Sequence, residues 1–296
     1  MKKFLVKSYL KILAKFSNGK GYAQKFPILK KFVNTIESSL KSDFVEFFGG
    51  KMYLDSNDSM GLSIRGVYGP ASTRVVLENV KIGNAVVDLG ANIGYYSLIL
   101  AKLVGKEGKV FSFEPVPKNF SKLEKNIKLN NYSNVIAENM AISNFNGKTE
   151  LFVSQKTIGG STLYEPKQIK SHQNFLPISV STMTLDNYLK SKTHIENIDF
   201  LKIDIEGSEV NALKGATNIL KNPNLKILIE ISPLHLEDAN SSSHELLNLL
   251  LSYNFEFYFA NDHDDKIEFI TMDEILKKLD SIRPYSINVF CKKPKL

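Results

Sequence analysis

From residue 42 onward, short apolar runs alternate with longer segments whose apolar residues recur at helical spacing. The short runs predict strands and the longer segments predict helices. This alternation is typical of an α/β fold in which helices cover both faces of a mostly parallel sheet. The predicted strands are residues 85–88, 109–113, 134–138, 200–205, 226–231, 255–259 and 286–291. The predicted helices are residues 94–104, 117–129, 208–221, 242–252 and 272–280. The connection before the last strand is short and polar, so we expect that strand to be antiparallel.

Two stretches depart from the alternation. Residues 44–54 and 62–68 predict an N-terminal hairpin within residues 42–70. The second stretch, residues 139–182, contains predicted strands near 149–153 and 178–183 on either side of a long polar loop. Loops of that length in compact domains are usually functional or disordered. Gly159 and Gly160 permit hinge motion, so residues 154–176 are a candidate substrate lid, with a disordered insertion as the alternative.

Positive charge is concentrated in residues 1–41, which hold ten lysines and one acid, Glu37, for a charge of +9. The whole chain carries +7, which leaves −2 for the body, residues 42–296. The first part of this arm is amphipathic, with one apolar stripe opposite a row of lysines. The stripe consists of Leu5, Tyr9, Ile12 and Phe16, opposite Lys3, Lys7, Lys11 and Lys15. We favour a helical cap packed on the body; the alternative is an interfacial helix resting on anionic lipid.

Composition narrows the class of protein. A chain of 296 residues with 43% hydrophobic and 23% charged residues fits one folded domain with an appendage. The single cysteine, Cys291, allows no internal disulfide and favours a reducing compartment. No apolar run reaches the roughly 20 residues of a membrane span. We therefore expect a cytoplasmic protein, with peripheral contact at the inner membrane face through residues 1–41 as a further hypothesis. The near-neutral body gives no reason to expect nucleic-acid binding.

The first strand leads into a glycine turn, in the sequence VVDLGANIGYYSLILAK. The strand ends at Asp88, Gly90 and Gly94 follow, and a helix begins near Tyr95. Glycines in such a turn let a ligand approach the backbone at a helix N-terminus. The spacing D-x-G-x-x-x-G differs from the G-x-G-x-x-G of dinucleotide sites, which disfavours a dehydrogenase. An acid at the strand end suits a ligand with a cationic amino group.

The next two strand ends extend this pattern. Glu114 ends the second strand, where an acid can bind both hydroxyls of a ribose. Pro115 and Pro117 then end the strand and begin a helix. At the end of the third strand, Asn139 and the backbone up to Ala141 can meet an adenine ring. A plain strand–helix connection and a surface acid are the structural alternatives, but the ordered series favours nucleoside binding at one edge of the sheet.

A second dense motif is IDFLKIDIEGSEVNALKGATNIL, residues 198–220. Lys202, Asp204 and Glu206 alternate, so their side chains share one face of the strand end. Burying three charged side chains on a central strand costs free energy, so this arrangement is expected where the strand end opens into a site. The following strand ends at Glu230, and His235 comes shortly after. The structural alternative is a Lys–Asp pair with a glutamate at a helix N-terminus.

Together these motifs resemble the FkbM-type, S-adenosylmethionine-dependent class I methyltransferases. The matching stretches are DLGANIGYYS, FEPVP, NMAIS, TLDNYL, LKIDIEGSEVNALKGA and ILIEISP, between about residues 66 and 289. The resemblance implies a Rossmann-like sheet of seven strands with an antiparallel last strand. Gly69 is a departure, because family members often carry an acid there, before the proline of GVYGP.

The resemblance also implies the cofactor contacts. It places Asp88 and the glycine turn around the methionine part of S-adenosylmethionine, Glu114 on the ribose, and Asp204 near the transferred methyl. The full predicted set is Asp88, Gly90, Ala91, Asn92, Gly94, Tyr95, Glu114, Pro115, Asn139, Ala141 and Asp204.

The implied activity is transfer of a methyl group to a sugar hydroxyl of a glycan, glycolipid or natural product. A hydroxyl is a poor nucleophile at neutral pH, so a base or a metal is needed. Asp204 or Glu206 is the candidate base, with His235 as another, and Lys202 can stabilise an alkoxide. Alternatively, Asp204, Glu206 and Glu230 hold a divalent metal ion. A non-catalytic cofactor-binding scaffold and a methyltransferase for another small or macromolecular acceptor remain open.

The other histidines carry less information. His172 lies in the candidate lid, whereas His194, His244 and His263 have no motif around them. The acidic cluster at residues 262–265 has a composition typical of metal sites, but a solvated turn is the favoured interpretation.

Overall fold

The computed structural model describes residues 44–155, 159–167, 174–193, 195, 197–282 and 285–294. The predictions for the arm, residues 1–41, lie outside the described residues, as do those for His172 and His194. Within the described ranges, no helix combines the length and apolar composition needed to cross a bilayer.

An eight-stranded mixed sheet forms the centre of the fold. Its strands are β3 (Ala85–Leu89), β4 (Lys109–Phe113), β5 (Val135–Glu138), β9 (Phe200–Ile203), β10 (Lys226–Ile231), β11 (Glu256–Asn261), β12 (Lys266–Ile270) and β13 (Ile287–Lys292). Their order across the sheet is β12-β11-β13-β10-β9-β3-β4-β5. Smaller sheets contain β1 (Phe44–Phe47) with β2 (Gly50–Tyr53), and β6 (Ala141–Ile142), β7 (Gly147–Ser154) and β8 (Phe175–Met183).

The seven predicted strands of the main sheet are confirmed, each within two residues of its predicted bounds. Strand β13 runs antiparallel to both β10 and β11, as expected. The expected count of seven strands is corrected to eight, because β12 folds back on β11 as an antiparallel edge strand. The main sheet therefore contains the seven predicted strands and gains β12, which forms a short hairpin with β11 at one edge.

Ten described helices connect and cover the strands. They are α1 (Leu62–Arg65), α2 (Pro70–Asn79), α3 (Tyr95–Val104), α4 (Pro117–Leu129), α5 (Leu185–Lys192), α6 (Glu209–Lys214), α7 (Thr217–Leu220), α8 (Pro233–Asp238), α9 (Ser243–Ser252) and α10 (Met272–Ile282). The predicted helix at 208–221 divides into α6 and α7 at Gly215. A Cβ atom on Gly215 would lie 2.1 Å from the carbonyl oxygen of Ser143, so the chains approach too closely for another residue.

The central strands are apolar on both faces, which explains the two cores. Val86 of β3 packs with residues of α2 and α3 in one core, whereas its neighbour Val87 packs with residues of α5, α9 and α10 in the other. Successive residues of a strand point to opposite faces, so one run of apolar residues serves both layers. The layers leave the carboxyl ends of the parallel strands at a single edge of the sheet.

The N-terminal hairpin is confirmed only in part. Strands β1 and β2 pair with each other through a tight turn at Phe48 and Gly49, both of which have positive φ. Residues 62–65, predicted to be part of this hairpin, instead form the short helix α1. The reason is local: the carboxylate of Asp58 accepts hydrogen bonds from the main-chain N–H groups of Leu62 and Ser63, which satisfies the start of a helical turn.

The strands predicted near 149–153 and 178–183 are confirmed as parts of β7 and β8, which pair antiparallel along their whole lengths. The candidate lid connects them. This hairpin stands beside the main sheet and continues the edge at which its parallel strands end.

Candidate active site

The carboxyl ends of β3, β4, β9 and β10 surround a cavity that is open to solvent. The predicted residues that line it are Asp88, Gly90, Ala91, Asn92, Tyr95, Glu114, Pro115, Ala141, Lys202, Asp204, Glu206 and Glu230. The two motifs that lie more than 100 residues apart in the sequence therefore meet, as strand ends in a parallel sheet are expected to.

The glycine turn after β3 lies directly against the backbone after β9. Gly90 has φ of +78°, and a Cβ atom there would lie 1.8 Å from the carbonyl oxygen of Asp204. The N–H groups of Gly90 and Ala91 both donate to the carbonyl of Phe113, at 3.0 Å. Gly94, with φ of +104°, starts helix α3 and does not itself line the cavity. Glycine at position 90 is thus required by the chain's own packing.

Asp88 is a buried carboxyl group with one free oxygen. Its side chain is 1% exposed, and Oδ2 accepts a hydrogen bond of 2.6 Å from the Ser97 hydroxyl. Within the described part of the chain, Oδ1 has no hydrogen-bond partner. Burial raises the pKa of Asp88, and the nearby Lys202 ammonium offsets only part of that shift. A ligand with a cationic donor would satisfy both the free oxygen and the charge.

Glu114 connects the glycine turn to the end of β4. Its Oε2 accepts from the main-chain N–H of Asn92 at 2.8 Å, and its Oε1 accepts from that of Val116 at 2.9 Å. Burial raises the pKa of Glu114 to about 7, although these hydrogen bonds act in the opposite direction. The carboxylate is therefore oriented by the backbone, and the residue lines the cavity.

Asn139 has a different place from the one predicted. Its side-chain amide donates to the carbonyls of Glu114 and Pro115, at 2.8 and 3.1 Å, and the residue is exposed and does not line the cavity. Met140, Ala141 and Ile142 line the cavity instead. Asn139 therefore positions the neighbouring strand end, and the apolar residues after it form the wall.

Lys202 and Asp204 form a close ion pair beneath the cavity. The Lys202 ammonium lies 2.9 Å from Asp204 Oδ2 and 5.2 Å from the centre of the Tyr96 ring, and Lys202 is only 4% exposed. Burial lowers the pKa of Lys202, but the carboxylates of Asp204 and Asp88 raise it by more than burial lowers it. The net pKa is above its usual value, so the ammonium stays protonated. Burial raises the pKa of Asp204, but Lys202 and a hydrogen bond with Glu230 bring it below its usual value.

Glu206 forms a second pair, with His235. Glu206 adopts a positive φ of 51°, and its Oε2 lies 2.7 Å from His235 Nδ1. That nitrogen also lies 2.9 Å from the Ser232 hydroxyl. Burial raises the pKa of Glu206, and His235 counters only part of this. His235 itself does not line the cavity, so the predicted second base contacts Glu206 and not the open space.

Glu230 completes the acidic group. Its Oε1 accepts from the Ser286 hydroxyl at 2.6 Å. Burial, followed by the charges of Asp204 and Glu206, raises its pKa well above the usual value. One carboxylate oxygen from each of these three acids lies within 4.8 Å of the others, so the residues predicted as metal candidates do meet. Each already has a polar partner within the protein.

Several lining residues were not found from the sequence. Met60 and Tyr68 line the cavity, because the segment after residue 60 forms helix α1 and the start of α2 where a strand is predicted over 62–68. Tyr96 lines it from the start of α3. From the candidate lid, Gly159, Ser161 and Leu163 also line the cavity. A Cβ atom on Gly159 would lie 3.8 Å from the side-chain amide of Asn92, so this part of the lid covers the glycine turn.

Residues of the acidic cluster at 262–265 lie in two different environments, an exposed turn and a contact with helix α2. His263 is exposed and its Nδ1 lies 2.9 Å from Asp264, which agrees with a solvated turn. Asp262 instead accepts from the main-chain N–H and the hydroxyl of Ser72, each at 2.8 Å, and from the Asn288 amide at 3.1 Å. It thereby holds the start of α2, the helix that follows Tyr68.

The strand order, the antiparallel β13 and the glycine turn after β3 define a Rossmann-like class I methyltransferase fold. A family model described as the methyltransferase FkbM domain matches residues 88–257, more than half of the chain. The protein therefore belongs to the FkbM methyltransferase domain family. A second model, for protein-L-isoaspartate O-methyltransferase, matches residues 21–142.

Three individual relatives share less than 30% sequence identity with this chain, over part of its length. Methyltransferase 1 of Beauveria bassiana is 29% identical over 143 residues, covering 44% of this chain and 57% of that protein. The hexuronic acid methyltransferase AglP of Haloferax volcanii is 26% identical, covering 53% of this chain and 60% of that protein. The crystal structure of an FkbM methyltransferase from Methylobacillus flagellatus shares 19% identity with a TM-score of 0.46, over 75% of this chain and 48% of that one. The chain thus spans only 57% and 60% of the two curated relatives.

Proposed function

We propose that the protein is an S-adenosylmethionine-dependent O-methyltransferase that acts on a sugar hydroxyl of a glycan, glycolipid or natural product. The observation that carries this proposal is the cavity at the strand ends. The buried Asp88, with its free oxygen, lies beside Lys202 on the neighbouring strand, and Glu114 and Asp204 line the same cavity. Family membership supports the activity, and the hexuronic acid methyltransferase among the relatives supports a sugar acceptor.

The residues present fit the cofactor. Asp88 Oδ1 would accept from the cofactor's amino group, Glu114 would accept from the ribose hydroxyls, and Met140 and Ile142 would lie along the adenine. The carboxylates around the cavity also suit a ligand whose sulfur carries a positive charge. S-adenosylmethionine, when bound, supplies an activated methyl group to the acceptor.

Glu206 is the base that takes the proton from the acceptor hydroxyl. It lines the cavity, and its pKa is raised by burial, whereas Lys202 keeps Asp204 ionised and weakly basic. A base acts best when its pKa approaches the working pH. His235 holds the Glu206 carboxylate in position, and the Lys202 ammonium stabilises negative charge that develops on the acceptor oxygen.

A metal-assisted reaction is the second hypothesis, carried by the meeting of Asp204, Glu206 and Glu230. A divalent ion held there would lower the proton affinity of the acceptor hydroxyl. The two hypotheses differ in one measurable respect, which is sensitivity to a chelator.

The test uses purified full-length protein. Binding of S-adenosylmethionine is measured by calorimetry, and transfer of radiolabelled methyl to source-cell fractions is measured with and without EDTA. We expect binding, and transfer that survives EDTA in the wild type but is lost in Glu206→Gln. Transfer abolished by EDTA and restored by a divalent ion would favour the metal. Binding without transfer to any fraction would favour the scaffold alternative, and absence of binding would reject the proposal.

For the arm, residues 1–41, peripheral contact with anionic lipid is proposed as the alternative to the favoured helical cap. The described residues that follow it support this, because the β1–β2 hairpin exposes Phe44, Phe48 and Tyr53, each by 37–43%. Aromatic side chains beside a cationic segment suit a lipid interface. Co-sedimentation with phosphatidylserine vesicles should require residues 1–41; equal sedimentation without them would favour the helical cap.

A further inference from the structure

The mouth of the cavity has an aromatic wall whose most exposed ring, Tyr68, is not among the predicted cofactor contacts. Tyr68 packs edge-to-face on Tyr95, with ring centres 5.8 Å apart at 84°, and Tyr95 packs in the same manner on Tyr96 at 5.0 Å. Phe47 stacks on Tyr95 from the hairpin, at 5.4 Å. Tyr68 is the outermost ring that lines the cavity, and 38% of the residue remains exposed.

The backbone of Tyr68 is fixed by hydrogen bonds and its ring is packed on Tyr95, while its hydroxyl is free. Its N–H donates to the Tyr95 hydroxyl at 3.1 Å, and its carbonyl accepts from the Thr73 hydroxyl at 2.7 Å. The hydroxyl of Tyr95 is thus used within the fold. The hydroxyl of Tyr68, in contrast, makes no hydrogen bond among the residues that the structure describes. A preorganised aromatic residue with an unused hydroxyl at a cavity mouth is suited to ligand recognition.

The electrostatic surroundings of Tyr68 are negative. Burial, and after it the charges of Asp204, Glu230 and Glu206, raise the pKa of Tyr68. The hydroxyl therefore stays protonated and is available as a donor. Asp262, at the start of α2, adds a fourth carboxylate on this side. Lys202 is the only cation among the described residues that line the cavity, and it is paired with Asp204. His235 does not line the cavity and is paired with Glu206.

We propose that Tyr68 and the carboxylates opposite it form the acceptor subsite, and that this subsite takes an uncharged, hydroxyl-rich ring and rejects a uronate. The apolar C–H face of such a ring would pack on the Tyr68 ring, and the Tyr68 hydroxyl would donate to a ring substituent. A second hydroxyl of the acceptor would then reach the carboxylate of Glu206. This inference rests on the proposed function and names the acceptor class for the same site.

Charge is the reason for the selectivity. An acceptor carboxylate would enter a partly desolvated mouth where Lys202, the only cation among the described lining residues, is already paired with Asp204. A charge that loses water there without gaining a partner is costly. The relative named as a hexuronic acid methyltransferase would favour an anionic acceptor. The lack of an unpaired cation among the described lining residues argues for the opposite preference in this chain.

The test compares probes that differ only in charge. Methyl glycosides of glucose, galactose, mannose and rhamnose, and methyl glucuronoside and galacturonoside, are titrated against the full-length protein saturated with S-adenosylhomocysteine, by saturation-transfer NMR. At least one neutral glycoside should bind about tenfold more tightly than either uronoside. Tyr68→Ala should weaken that binding about tenfold, and Tyr68→Phe, which keeps the ring, by about fivefold. Tyr285→Ala, at a 72% exposed tyrosine outside the cavity, is the control and should change nothing.

Calorimetric binding of S-adenosylhomocysteine to each variant separates the possible failures. Cofactor affinity should stay within about twofold of wild type in both Tyr68 variants, which also shows that they fold. The inference is overturned if a uronoside binds as well as the neutral glycosides, if no glycoside binds, or if Tyr68→Phe and Tyr68→Ala weaken cofactor and glycoside equally. A wild type that fails to bind S-adenosylhomocysteine would instead reject the proposed function.

Discussion

The two ends of the cavity hold their carboxylates by different means. At the proposed cofactor end, Glu114 accepts hydrogen bonds from the main-chain N–H groups of Asn92 and Val116. At the proposed acceptor end, Asp204 is held by the Lys202 side chain and Glu206 by that of His235. The first arrangement is built into strand and turn geometry, whereas the second depends on a balance of buried charges. Substitutions should therefore affect ligand affinity at the first end, and proton transfer and charge balance at the second.

The largest effect is expected where the two ends meet, at Gly90. Gly90→Ala places a methyl group 1.8 Å from the Asp204 carbonyl position at a φ of +78°, and should lower the free energy of unfolding by about 4 kcal/mol or more. Gly159→Ala, where the nearest atom is 3.8 Å away, is the matched control and should change it by less than about 0.5 kcal/mol. Urea denaturation measures both, and equal stabilities would show that the turn does not lie against this backbone.

The next largest effect concerns the charge balance of the acceptor end. Lys202→Met removes the buried ammonium 2.9 Å from Asp204 and should lower the free energy of unfolding by about 3 kcal/mol, since an unpaired buried acid remains. Adding Asp204→Asn should restore part of this loss. A urea double-mutant cycle measures the coupling, and simple additivity would mean that the pair does not depend on charge.

At the cofactor end, we expect the affinity for S-adenosylmethionine to depend on pH through Glu114. Glu114 in the free protein has a pKa raised to about 7, and only its ionised form accepts strongly from ribose hydroxyls. Affinity for S-adenosylmethionine should therefore rise from pH 6 to pH 8, by up to about tenfold per unit below the pKa. In Glu114→Gln the affinity should be lower and this dependence absent.

Glu209→Gln is the control for that titration. Glu209 is also a buried glutamate, with a pKa raised by burial to about 7, but it does not line the cavity. Its substitution should leave the pH dependence of cofactor affinity in place. If the pH dependence were lost in Glu209→Gln but kept in Glu114→Gln, the titrating group would be Glu209, and the role proposed for Glu114 would be wrong.

The smallest effect is expected from the arm. Removing residues 1–41 should leave affinity for S-adenosylmethionine within about twofold, because every described residue that lines the cavity lies at or after Met60. Calorimetry on the shortened chain measures this. A large loss would show that the arm contributes to the site.

The same contrast explains how much could be predicted from the sequence. The central strands and the residues Asp88 and Glu114 are encoded locally, as apolar runs that end in an acid and a glycine turn. Helix α2 and Tyr68 depend on distant contacts, such as that between Ser72 and Asp262, which lie 190 residues apart. Short-range pattern does not carry such contacts, so the sequence predicts a strand over 62–68 and does not predict α2. His235 was found by its position after β10, but its contact with Glu206 was not.

The most direct test of the central claim is calorimetric titration of S-adenosylmethionine into the wild type, Asp88→Asn and Glu206→Gln. The wild type should bind one equivalent, and Asp88→Asn should bind about tenfold more weakly because the charged partner of the cofactor's amino group is lost. Glu206→Gln should bind within about threefold of wild type while losing methyl transfer. Undiminished binding by Asp88→Asn, or no binding by the folded wild type, would contradict the division of the cavity into a cofactor end and an acceptor end.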